Sequence, residues 1–367
     1  VLTPVDELTS ASVLVEDGRV AWLRPGLQAA ARAEALTEPG DLILPGFLDL
    51  QVNGYGGCDA GSGKDAITAI SGRLPETGVT GFLPTIISRP LEQTVVFARA
   101  TALVAAPGAR VLGAHLEGPF LNPRHRGAHE ERWLLEPTRE RIDLVRAAGA
   151  RVVTLAPELA GGLEAVHSLA RAGAVVSVGH SGATYAEAVA AVDAGARFAT
   201  HLFNAMPPVH RRDPGAATAL VLDRRVALGV IADGVHVAPP LLDLVVRARR
   251  GVGVVLTTDQ MAAAGMPPGR YQLGGQEVSS DGTTARTADG TLAGSVATMD
   301  EMVRRMSEVV GLRRAVTMAT AAPARLLRER ALGRIAEGLA ADLVVMDARL
   351  RVRATLIGGR VAYRRPA

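Results

Sequence analysis

Lysine is nearly absent from this chain. Lys64 is the only one in 367 residues, so the 40 basic residues are almost all arginine. Against 37 acidic residues they leave a net charge of +3, and no basic run is interleaved with aromatics, which make up 3% of the chain. A nucleic-acid partner is therefore not expected. Cysteine is equally scarce. Cys58 stands alone, which excludes an intramolecular disulfide and suits a reducing cytoplasm. No apolar stretch reaches membrane-spanning length, and residues 1–15 lack the basic-then-apolar profile of an export signal. The expectation is a cytoplasmic protein with no membrane association.

What is present is an ordinary globular composition, 48% hydrophobic and 21% charged, in a chain long enough for one large domain and a smaller one. Short apolar runs occur near 46–52, 81–87, 111–116, 152–156, 174–178, 198–200, 227–232 and 253–257. Ala- and Arg-rich helical segments such as 185–194 and 240–249 separate most of them. Eight strands alternating with helices predict an α/β fold, a (β/α)8 TIM barrel, over residues 44–333. Residues 1–43 and 334–367 instead show short alternating segments with turn residues. They predict a small β-sandwich domain built from both chain termini. The Gly-, Thr- and Asp-rich stretch 281–290 predicts a hairpin or lid after the eighth strand.

Four polar residues each stand just past an apolar run: Glu117, His180, His201 and Asp259. Their places fit the ends of strands three, five, six and eight, the end of a TIM barrel where catalytic groups gather. Taken singly, each histidine is explained by a core or helix-cap position. Jointly, two imidazoles and one carboxylate converging on one mouth would hold a metal with an open position for water. Such a set suits Zn2+ first, with Fe2+, Co2+ or Mn2+ also compatible. Asp259 would accept a proton from that water and return it to a leaving group. His115, two residues before Glu117, faces the same side of its strand and reads as support for the site rather than a ligand.

Longer motifs carry a resemblance. Pro45-Gly46-Phe47-Leu48-Asp49-Leu50-Gln51-Val52-Asn53-Gly54 and Gly338-Leu339-Ala340-Ala341-Asp342-Leu343-Val344 resemble the opening and closing signatures of the amidohydrolase superfamily. Within it, four motifs are similar to the N-acetylglucosamine-6-phosphate deacetylase family. They are His115-Leu116-Glu117-Gly118-Pro119-Phe120-Leu121, Gly179-His180-Ser181-Gly182-Ala183-Thr184, His201-Leu202-Phe203-Asn204-Ala205-Met206 and Ala232-Asp233-Gly234-Val235-His236. Many amidohydrolases carry a His-x-His pair where this chain has Gln51 and Asn53, neither a good transition-metal ligand. A deacetylase subgroup with the same substitution works with a single metal.

The resemblance implies one divalent cation per subunit on Glu117, His180 and His201, with Asp259 as general base and acid. It implies substrate contacts at Ala128, His129, Asn204, Ala205, Arg212, His236, Leu292, Ala293 and Gly294. His129 would lie near the acetyl oxygen, and Arg212 would reach the phosphate from the neighbouring subunit of a homodimer. The implied reaction is deacetylation of N-acetylglucosamine 6-phosphate to glucosamine 6-phosphate and acetate. N-acetylgalactosamine 6-phosphate, another amidohydrolase substrate, or a non-catalytic sugar-phosphate-binding barrel stand as alternatives. Read without the resemblance, Arg211 and Arg212 are a solvated turn.

Overall fold

The computed structural model describes residues 1–2, 8, 10–28 and 34–366. Eight parallel strands form the barrel: β1 Phe47–Val52, β2 Val79–Ile86, β3 His115–Glu117, β4 Val152–Leu155, β5 Val175–Val178, β6 Phe198–Ala199, β7 Ala227–Val230 and β8 Val254–Leu256. Each pairs with its neighbours in sequence order, and a short strand Arg110–Val111 adds to β2. Nearly every residue in them is buried, as expected of parallel strands covered by helices on one side and packed against each other on the other. The helix Tyr185–Ala194 shows the local logic of the crossovers. Thr184 and Glu187 form a capping box at its start, and Gly195 ends it.

The ring closes between β1 and the end of β8. Val52 bridges Gln260 in parallel, and Asp49 accepts hydrogen bonds from the Thr258 amide (3.1 Å) and hydroxyl (2.5 Å). Burial pushes the Asp49 carboxyl up to about 7, against the lowering effect of those Thr258 bonds. A carboxyl raised in the folded state contributes stability that is full below the unfolded value of 3.8 and is lost as pH rises through about 7. Wild type should therefore lose stability relative to Asp49→Asn between about pH 4 and pH 7 in urea titrations. Asp49→Ala, which orphans the Thr258 hydroxyl, should cost about 1–3 kcal/mol. A wild-type-minus-variant difference that is flat across that window would show that Asp49 is ionised in the fold.

The barrel interior is layered with the two-residue period of its strands. Leu83, Val152, Phe198 and Val255 belong to an apolar cluster sealed by Leu327. Two residues further along come four buried threonines, Thr85, Thr154, Thr200 and Thr257. His115 sits in that hydroxyl layer. Its Nδ1 donates to the Leu50 carbonyl (2.9 Å), so Nε2 accepts from Thr154 (2.7 Å), which accepts from Thr200 (2.7 Å), which accepts from Ser177 (2.6 Å). Burial drives the His115 pKa down to about 4 and keeps the ring neutral. The expected support for the site is thus indirect: His115 braces the floor beneath it and bonds to none of the four residues at the strand ends.

At the termini, Arg360–Arg364, Val352–Ile357, Leu343–Met346 and Leu42–Pro45 form a four-stranded antiparallel sheet. A hairpin of Ala11–Glu16 and Arg19–Pro25 packs beside it through Val20, Ile335, Ala341, Leu343 and Leu356. The strand Leu42–Pro45 runs across the boundary expected at residue 43. Within the expected N-terminal portion, residues 3–7, 9 and 29–33 lie outside the described residues, as does 367 at the other end.

The hairpin expected at 281–290 is the last part of a longer element. A meander of Gly269–Leu273, Gln276–Ser280 and Ala285–Arg286 follows β8, and Asp281 forms its second turn by accepting from Thr283 and Thr284. The polar, exposed first strand of the meander hid its strand character in the sequence.

Candidate active site

Glu117 is the last residue of β3, while His180, His201 and Asp259 follow β5, β6 and β8 by two or three residues. Those three adopt left-handed backbone conformations, with φ of 49°, 29° and 51°. Non-glycine residues pay for that geometry, and such strain concentrates where a side chain must be aimed. Here the reversal at each strand end turns the side chain into the mouth. The result is a tight cluster. Glu117 Oε1 lies 2.9 Å from His201 Nε2 and 3.3 Å from His180 Nε2, and the two imidazole nitrogens are 3.1 Å apart.

His129 adds a fourth group, with Nε2 3.6 Å from Glu117 Oε2. Glu117, His129 and His180 therefore also present three donor atoms within 4.8 Å of one another. Proton positions separate the two candidate triples. The Ser88 backbone N–H, which can only donate, points at His129 Nδ1 (3.0 Å), so the neutral ring carries its hydrogen on Nε2. The His125 carbonyl, which can only accept, lies 2.9 Å from His180 Nδ1, so that ring has its lone pair on Nε2. His180 Nε2 thus offers a lone pair to the cluster and His129 Nε2 a hydrogen. His201 Nε2 faces the same point, and its Nδ1 is buried with no partner among the described residues. Two imidazole nitrogens and a carboxylate oxygen converging within 3.3 Å suit a divalent cation, which removes the repulsion of their lone pairs.

The electrostatics divide the two carboxylates. Burial opposes ionisation of Glu117, but the His129 hydrogen bond and the close approach of His180 and His201 outweigh it and hold the carboxyl well below its usual range. Asp259 is pushed up to about 7, first by burial and then by the negative charge of Glu117. Burial, then repulsion from His129, lowers His180 to about 4. For His201 burial works downward but the Glu117 bond and charge, with Asp259, carry it upward. Two carboxylates with pKa values pushed apart mark one as a fixed charge and the other as a proton carrier.

Ala128, His129, Asn204, Ala205, His236, Leu292 and Gly294 line one cavity of about 250 Å3 with Glu117, His180, His201 and Asp259. Two expected contacts are not among its lining residues. Ala293 is fully buried in the cluster under the meander, and Arg212 is exposed on the loop after β6. Among the described residues, no arginine or lysine lines the cavity. His236 Nδ1 is held by Asp233 (2.6 Å), which also accepts from the Val235 and His236 amides, leaving Nε2 for a ligand.

Two residues set aside as non-ligands have a part here. Gln51 donates to Glu117 Oε1 (2.8 Å), and Asn53 donates to Asp259 Oδ1 (2.7 Å). Their spacing on one strand face was the signal, since a side-chain amide brings the donor that a carboxylate needs. Ile87 and Leu273 also line the cavity, and nothing in the local sequence singled them out.

Comparison with known proteins agrees with this geometry. The amidohydrolase family model matches residues 42–362. An N-acetylglucosamine-6-phosphate deacetylase of Bos taurus is 41% identical over 344 residues, covering 88% of this chain and 84% of the relative. An N-acetylgalactosamine-6-phosphate deacetylase of Escherichia coli O157:H7 is 36% identical, covering 98% and 97%. Among solved structures, a mutant N-acetyl-D-glucosamine-6-phosphate deacetylase of Mycobacterium smegmatis in complex with N-acetyl-D-glucosamine 6-phosphate superposes with a TM-score of 0.92 at 36% identity, covering 98% of this chain and 97% of that one. A barrel of this order, matched along nearly its whole length, places the chain in the amidohydrolase family, grouped with its N-acetylglucosamine-6-phosphate deacetylases.

Proposed function

We propose that this chain hydrolyses the acetamido bond of N-acetylglucosamine 6-phosphate, giving glucosamine 6-phosphate and acetate, with one divalent cation, Zn2+ first, held by Glu117, His180 and His201. The observation that carries the reading is the buried Glu117–His180–His201 convergence with a second carboxylate in the same cavity, Asp259, whose pKa is raised. A divalent ion there supplies Lewis acidity and acidifies water. The chain's own residues do the rest. Asp259, with Oδ1 held by Asn53, takes a proton from the attacking water and delivers it to the amine, which leaves poorly without one. His129 donates through Nε2–H to the oxyanion that develops on the acyl oxygen. Gln51 fills one lone pair of Glu117 and stands where a second metal would need a better ligand. A cytoplasmic setting agrees with a sugar phosphate as substrate and a lone cysteine.

The 6-phosphate is a dianion, yet among the described residues the cavity is lined by no cationic side chain besides histidine. The exposed Arg212 supports a homodimer in which Arg212 of the partner subunit closes over the phosphate beside His236 and Asn204. Arg212→Ala should raise KM for the phosphorylated sugar roughly tenfold to hundredfold, the worth of a charge-assisted bond of about 1.5–3 kcal/mol. Turnover of unphosphorylated N-acetylglucosamine should barely change. Mixing Arg212→Ala with Asp259→Asn chains should restore part of the activity. Heterodimers that form without rescue would end the shared-site reading.

The Escherichia coli relative named for the galacto sugar supports a second reading, the same chemistry on N-acetylgalactosamine 6-phosphate. Acetate release from both sugars by the purified, metal-loaded protein decides between them. Faster release from the gluco sugar is expected. Preference for the galacto sugar would reassign the substrate, and release from neither would refute deacetylation.

A further inference from the structure

One wall of the cavity is apolar, across from Asn204 and His236. Ile87 follows β2, and Leu273 comes from the first strand of the meander. Because the strands are ordered around the barrel as they are in sequence, the β2 side lies across from the β6 and β7 side that carries Asn204 and His236. Ile87 and Leu273 are only 5% and 3% exposed, and what they expose lines the cavity. They pack in one cluster with Met261, Ala262 and Val278, flanked by Ala128.

We propose that Ile87 and Leu273 form a fixed wall that receives the acyl substituent of the substrate and restricts it to a methyl group. This rests on the deacetylase reading above and extends it to acyl-chain selectivity. The orientation follows from the groups around the reacting carbon. The acyl oxygen points to His129 Nε2, the nitrogen leads to the sugar, and sugar hydroxyls and phosphate need the polar partners near β6 and β7. The remaining substituent faces β2. Ile87 also precedes Ser88, whose amide sets the His129 ring, so the wall and the oxyanion donor share one backbone mount.

The wall has little room to retreat. Gly274, directly after Leu273 at φ 59°, lies so close to Ile87 that a Cβ there would come within 2.3 Å of its Cδ1. The Gly274 amide donates to Asp59 (3.1 Å), Asp59 pairs with Arg89 (3.5 Å), and the Gln276 side chain donates to the Ala128 carbonyl. The meander is thereby tied to the barrel at Gly274 and Gln276, directly after Leu273. A substituent longer than methyl must compress this packing, and protein interiors resist that.

The test compares kcat/KM for N-acetyl-, N-propionyl- and N-butyryl-glucosamine 6-phosphate in metal-loaded wild type, Ile87→Ala and Leu273→Ala. Wild type should lose roughly 10- to 200-fold for an added methylene. In each variant the propionyl-to-acetyl ratio should rise at least tenfold, and the butyryl ratio should rise with it. Ile87→Val and Leu273→Val serve if an alanine variant fails to fold, and they should shift the ratio in the same direction by less. Wild type that turns over the longer acyl chains as well as acetyl would overturn the proposal. So would folded variants whose acyl ranking matches wild type. Wild type inactive on all three would instead refute the N-acetylglucosamine 6-phosphate reading, and the acyl wall with it.

Discussion

Asp259→Asn is expected to keep its metal, bind substrate and lose turnover by a factor of roughly a hundred to ten thousand. The substitution preserves size, and the Asn53 amide still finds an oxygen to donate to, so the cavity need not rearrange. What is lost is proton transfer in both directions. The pH profile carries the same information. With its carboxyl pushed up to about 7, chiefly by burial and then by Glu117, Asp259 retains its proton at low pH and becomes a base only as pH rises. Wild-type activity should therefore fall on the acid side, and Asp259→Asn should lack that limb. A bound cation favours the carboxylate and moves the limb to lower pH without removing it. A variant without metal would make Asp259 a ligand, and near-normal turnover would assign the proton transfer elsewhere. Both outcomes are read by elemental analysis beside steady-state kinetics.

The second large effect separates ligands from neighbours. His180→Ala and His201→Ala should each lose metal and activity together, whereas His129→Ala should keep one equivalent of metal while losing turnover. The reason is the placement of hydrogens: the Ser88 amide leaves His129 Nε2 protonated, and the His125 carbonyl leaves His180 Nε2 bare. Thermal or urea stability offers a readout independent of activity. Metal at a thousand times its dissociation constant stabilises a folded protein by about 4 kcal/mol, and that increment should vanish in the two ligand variants. Metal lost from His129→Ala and retained in His201→Ala would hand the site to the Glu117–His129–His180 triple. Two equivalents in fully active wild type would contradict the single-metal reading, which rests on Gln51 and Asn53 spending their amide donors on the two carboxylates.

The eight strands were legible because a parallel barrel strand is buried on both faces, so it appears as an uninterrupted apolar run with a polar residue where it meets solvent. The order Glu117, His180, His201, Asp259 was legible for the same reason. The meander was less so. Its first strand, Gly269–Leu273, is exposed along most of its length and has no apolar run to announce it. His115 shows the limit of a period-two argument. It shares a strand face with Glu117, but one layer down the same face meets hydroxyls from Thr154, Ser177 and Thr200 instead of the groups at the strand ends.

By itself the sequence determined the barrel class, the terminal β elements and which residues stand at the strand ends. Each of those follows from local burial and periodicity. Only the tertiary structure decided how the residues act on one another. The left-handed backbone at His180, His201 and Asp259 aims the side chains inward, yet no residue type at those positions signals it. The separation of Asp259 from Glu117 in proton affinity depends on burial and on a charge 142 positions away in the chain. Which nitrogen of a histidine carries the hydrogen depends on a single backbone group, an amide at Ser88 or a carbonyl at His125. Such contacts are set by where strands meet around a closed ring, and spacing along the chain does not encode them.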